Sequence, residues 1–259
     1  MRVYAILIPS FAILAGASGL YLRIMELKKV FDESTGLPLR GAGITFALIM
    51  LTVAVVLIAI AFAVHVRLKY TSPRGFESAF GTEILAYPLV FFIIGVLWLG
   101  STVKYFIDLN TGETIPLSDL FFTILSALAA ISATLFAIEG YQDPRRKTRF
   151  ALSIIPTLFM CYWLVLFYRQ NASNPILLSY CYECLAIITS ALGFYFTSGF
   201  IYNRPAPGKA TFSFLTAIYF CFITLADEHA ISIKLIYIAM IAINVAYSFM
   251  LIRNMRRKI

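Results

Sequence analysis

Eight long apolar runs, each close to the roughly 20 residues a helix needs to cross a bilayer, limit this chain more than any other feature. Bounded by charge or by Gly and Pro, they cover residues 3–22, 43–66, 84–107, 117–139, 150–169, 176–201, 211–228 and 234–252. In hydrocarbon every backbone N–H and C=O must be bonded within the chain. Runs of this length achieve that as helices, whereas barrel strands would show alternation over about ten residues. The expectation is an all-α polytopic integral membrane protein: one helical domain over residues 1–259, with eight transmembrane helices in hairpin-like pairs. Composition agrees, since 61% of the 259 residues are hydrophobic and 13% charged, with a mean hydropathy of +0.86, against roughly 25% charged in soluble domains. The connections are short, which leaves no room for a separate soluble catalytic domain.

Orientation follows from the bases. Fourteen Lys and Arg fall on one side of the expected spans, among them Arg67, Lys69, Arg204 and Lys209, and seven on the other. The positive-inside rule then places both termini in the cytoplasm. The net charge of +8 is accounted for by this asymmetry, so no nucleic-acid partner is implied. Two inner clusters, Arg145, Arg146, Lys147 and Arg149, and Arg253, Arg256, Arg257 and Lys258, suit contact with anionic lipid. Arg2, the apolar stretch and Ala15-Gly16-Ala17 mimic a cleavable signal peptide, but Ala12, Gly16 and Gly19 read more naturally as a small-residue face for close helix packing. Each expected inner loop opens on Tyr-x-x-Pro, at Tyr70, Tyr141 and Tyr202. An interfacial tyrosine followed by a helix-stopping proline fits repeated hairpins.

The first outer loop, from Arg23 to Arg40, carries Glu26, Lys28, Lys29, Asp32 and Glu33 before Thr35-Gly36-Leu37-Pro38. This stretch resembles segments of uncharacterised multi-pass membrane proteins of Gram-positive anaerobic bacteria. The resemblance implies a bacterial plasma membrane and brings no activity with it.

Few polar groups remain to carry chemistry. Glu183 is the one acid well inside a span. An ionised carboxylate there costs on the order of 2.5–3.5 kcal/mol, so its default reading is proton coupling, an ion ligand or substrate contact; the plain alternative is a protonated Glu bonded to a neighbouring helix. Cys161, Cys181, Cys184 and Cys221 fall in the outer halves of three spans, Cys181 and Cys184 at i, i+3. Together they read either as a thiol redox or soft-metal site, or simply as small apolar packing residues. Asp227-Glu228-His229 at the outer end of the seventh run reads as a solvated cap or a surface site for a divalent cation. The sequence holds no phosphate-binding Gly-rich loop, no His-Glu-x-x-His and no Gly-x-Ser-x-Gly, and no cofactor is expected. The function expected first is a small-solute or ion transporter, or the membrane subunit of one, with Glu183 as its coupling carboxylate. A non-catalytic scaffold or sensor bound to a membrane or cytoplasmic protein is the alternative, and an outer-leaflet thiol or metal protein the second.

Overall fold

The computed structural model describes residues 2–31, 43–71, 73, 75–82, 86–110, 116–142, 149–173 and 176–257. The apolar runs become long helices because no other conformation bonds their backbone internally. These are α1 (Arg2–Lys29), α2 (Gly43–Lys69), α4 (Ala86–Leu109), α5 (Leu117–Gln142), α6 (Arg149–Asn171), α7 (Leu177–Ile201), α8 (Pro207–Thr224) and α9 (Ile231–Asn254). A short α3 (Phe76–Phe80) precedes α4. It follows Gly75, whose φ of 84° lies in the left-handed region that favours glycine. Asn254 at the end of α9 bonds the carbonyls of Ala79 and Gly81 at 3.0 and 2.9 Å, which seats α3 under the bundle. The strands β1 (Tyr70–Thr71) and β2 (Arg256–Arg257) form a two-residue antiparallel pair, so the chain leaving α2 and the chain leaving α9 meet at one end of the molecule.

From α4 to α9 each long helix packs on the next, and α4 closes back onto α9, which makes a ring of six. Aromatic side chains fill it. Trp98 of α4 lies 5.8 Å from Phe159 of α6 and 6.3 Å from Phe194 of α7, and Phe122 of α5 lies 5.2 Å from Phe159. Trp163 continues the series to Tyr237 of α9 at 5.1 Å. The Trp98 indole N–H is satisfied by Ser126 at 3.1 Å, so the largest side chain of this core leaves no polar orphan. On the far side of α8, α1 and α2 pack as a pair. A Cβ on Gly16 would stand 2.6 Å from Phe222, and one on Gly19 2.9 Å from Ile223, so the glycines of α1 are where its backbone presses on α8.

Among the described residues, seven helices are long and apolar enough to cross a membrane: all the long ones except α8. The exception has a physical reason. α8 is clasped by α1, α2, α7 and α9, and a surface that meets protein on all sides need not be as apolar as one that meets lipid. Its buried Thr211, Ser213, Thr216 and Thr224 return their hydroxyls to carbonyls one turn back at 2.8–3.0 Å. Pro207 at the first turn starts this helix earlier than its apolar run, and the chain leaves it at Leu225 rather than at residue 228. α1 departs from its run in the other direction, extending through Arg23 and Glu26 to Lys29.

Candidate functional site

The extension of α1 carries charge into the protein. Arg23 and Glu26 are wholly buried, and one turn of helix brings them together, Arg23 Nη1 donating to Glu26 Oε2 at 2.7 Å. Arg23 Nε donates to Asp227 Oδ1 at 2.9 Å, and Nη2 donates to the carbonyl of Ser179 at 3.1 Å. One guanidinium thus ties α1, the first turn of α7 and the α8–α9 connection, with the Tyr182 ring 5.3 Å below it. Beneath Tyr182 the hydroxyl of Thr52 on α2 bonds both Tyr182 and, at 2.9 Å, Tyr219 of α8. Two carboxylates share a single guanidinium here, and among the described residues Glu26 Oε1 and Asp227 Oδ2 have no hydrogen-bond partner. Buried acceptors left unmet are costly, and in native proteins they call for an explanation.

Glu183 belongs to the same region. Its Oε1 accepts from Tyr237 at 3.0 Å, the outermost ring of the aromatic core, and its Oε2 lies 3.7 Å from His229 Nε2. The His229 and Tyr237 rings are 5.8 Å apart. His229 Nε2 is itself buried without a hydrogen-bond partner among the described residues. In the α8–α9 connection, burial pushes the Asp227 carboxyl above its usual value against the pull of Arg23. Burial, helped by Lys234, holds His229 down at about 4, so it is neutral at physiological pH. The arrangement gathers three carboxyls, a guanidinium and a neutral imidazole at the ends of α1, α7 and α9. It can exchange protons and hydrogen bonds among these groups with little water present.

The other residues singled out in the sequence are placed as follows. Asp227, Glu228 and His229 diverge: Asp227 turns to Arg23, His229 toward Glu183, and Glu228 is exposed. All four cysteines are free. Cys161 is exposed on α6 and Cys221 is buried on α8 with its sulfur 3.6 Å from Ser190 Oγ, while Cys181 and Cys184 are half-buried on α7. Among the described residues no three of His, Cys, Asp and Glu come together as a metal-binding group. Arg145, Arg146, Lys147 and Lys258 lie outside the described residues, as do the side chains of Arg149, Arg256 and Arg257. Arg253 is hydrogen-bonded to Tyr87. Arg23 and Glu26, assigned to a loop from the sequence, are the residues that reading passed over; their opposite charges at i, i+3 on a helix end were the available signal.

The chain matches no protein-family model, no curated protein and no solved structure.

Proposed function

We propose that this multi-pass membrane protein is a small-solute or ion transporter, or the membrane subunit of one, with eight crossings and both termini in the cytoplasm of a bacterium. Glu183 is its coupling carboxylate. The observation that carries this reading is the acid cluster at one end of an apolar bundle: Glu26 and Asp227, buried and each with one carboxylate oxygen unpartnered among the described residues, beside the half-buried Glu183 bonded to Tyr237. Intramembrane carboxyls are retained where they exchange a proton or ion. Tyr237 and His229 would hand a proton to or from Glu183, and Arg23 would hold the outer ends of α1 and α7 together while Glu183 is occupied.

The test is reconstitution in liposomes that enclose a pH-sensitive dye, with pools of amino acids, sugars or inorganic cations added outside. Proton movement that depends on one pool, and that Glu183→Gln abolishes without loss of folded protein, is the expected result. Proton movement with no pool, or an unchanged response in Glu183→Gln, overturns it.

A second reading, the non-catalytic scaffold or sensor, draws on a different observation: the six-helix ring is filled by aromatic side chains from Trp98 to Tyr237. On that reading Arg23 is a structural clasp, Glu183→Gln is silent in every flux assay, and the protein leaves the native membrane with a stoichiometric partner.

A further inference from the structure

At the opposite end of the molecule from Glu183, α1, α2 and α9 line a half-open cavity of about 340 Å³, with Tyr4, Ile58, Ala61 and His65 exposed at its mouth. It exists because α2 and α9 both pack on α1 and α8, while their own tips are joined through the β1–β2 pair. The walls are Ile8, Ile58, Phe62 and Met255 with their neighbours, and the polar groups of the lining are Tyr4, His65 and Tyr70. His65 and Tyr70 face one another with ring centroids 5.9 Å apart. The volume falls at the lower end of sites that hold small ligands, about 300–1,000 Å³, and the lining is that of a hydrocarbon site with one polar rim.

The surroundings of that rim are basic. α2 ends in Arg67 and Lys69. The backbone of Arg256 and Arg257 pairs with Thr71 and Tyr70, and Tyr70 itself lines the cavity. Four bases thus belong to the segments that flank one end of an apolar cavity. Bases beside a membrane surface attract anionic headgroups by about 1 kcal/mol each.

We propose that this cavity is a specific site for one phospholipid with an anionic headgroup, an acyl chain seated between α1, α2 and α9 and the phosphate at the β1–β2 pair. The lipid fills the gap between α2 and α9 and bonds the polar rim. The site is independent of the Glu183 cluster and of the transport reading.

The experiment uses the full-length protein in nanodiscs of equal parts phosphatidylglycerol and phosphatidylcholine, with the lipids that stay bound on release counted by native mass spectrometry. The wild type is expected to retain one phosphatidylglycerol, preferred over phosphatidylcholine by about tenfold. Ala61→Phe, which fills the cavity from α2, is expected to lose it. Arg256→Gln with Arg257→Gln is expected to keep a lipid and lose the preference. Equal retention of the two lipids by the wild type overturns the proposal, as does undiminished retention in folded Ala61→Phe. Should Ala61→Phe not fold, photo-crosslinking of wild type with a diazirine-tailed phosphatidylglycerol decides. Adducts concentrated on residues 4–8 and 58–66 support the site, and adducts spread evenly over the lipid-facing helices overturn it.

Discussion

Arg23 is the residue on which most of the polar end of the molecule depends. Removing one member of a buried charge network leaves its partners uncompensated, at a cost of about 3–5 kcal/mol. Arg23→Gln, which strands Glu26 and Asp227, should therefore lower the unfolding midpoint in detergent sharply. Glu26→Gln should cost much less, because Arg23 then keeps one carboxylate partner of opposite charge. Equal losses in the two variants would show that Arg23 acts through packing on Tyr182 instead. His229 gives a pH dependence whose sign is fixed. Its folded value of about 4 lies below its ordinary 6.5, so between these values the unfolded state binds more protons and stability falls as the pH drops. The advantage of wild type over His229→Gln, read as unfolding midpoint, should shrink from pH 6.5 toward pH 4; an advantage that grows on acidification would contradict this environment. The two halves of the site were unequally legible in the sequence. Glu183 stood out because a carboxylate interrupts an apolar run, but its partners Tyr237 and His229 come from a helix and a connection remote in sequence. Arg23 and Glu26 stood at the edge of a run, where charge normally marks the water boundary. Their i, i+3 spacing is compatible with a helix, and the fold shows that the helix continues to Lys29 and buries both.

At the scale of helices, close approach is set by single small residues. A Cβ on Gly95 of α4 would collide with the Thr134 hydroxyl of α5, which is already bonded to the Ala130 carbonyl at 2.8 Å. Gly95→Ala should cost about 1–3 kcal/mol by overpacking. Adding Thr134→Ala should recover most of the loss, a coupling that a double-mutant cycle measures directly; additive losses would mean that α4 and α5 can separate freely. Long apolar helices are the part of this fold that a sequence shows best, and α2, from Gly43 to Lys69, starts where its run starts. Short α3 and the β1–β2 pair left no periodic signal, because five residues and two residues carry too little pattern. They are held by tertiary contacts: α3 by Asn254, and β1 by the chain that returns after α9.

For the whole molecule, the reading with eight crossings is decided by where the connections emerge. In a variant with the four native cysteines replaced by serine, a membrane-impermeant maleimide applied to intact cells should label Ser173→Cys and Glu228→Cys. Asn203→Cys should react only after permeabilisation. Labelling of Asn203→Cys and Glu228→Cys from the same side would mean that α8 does not cross. On the eight-crossing reading, the helix that holds the bundle together is also the one least able to enter a membrane by itself. α8 begins with Lys209 near its start, is lined with hydroxyls, and is clasped by four other helices. During synthesis the insertion machinery would meet this segment before α9 exists, and lipid would be a poor host for it. α8 would therefore wait at the translocon until α9 emerges, and the two would partition as a pair against α1, α2 and α7. A nascent chain cut short after Thr224 would then leave its last helix stranded at the membrane surface, a product that cellular quality control is built to recognise and remove.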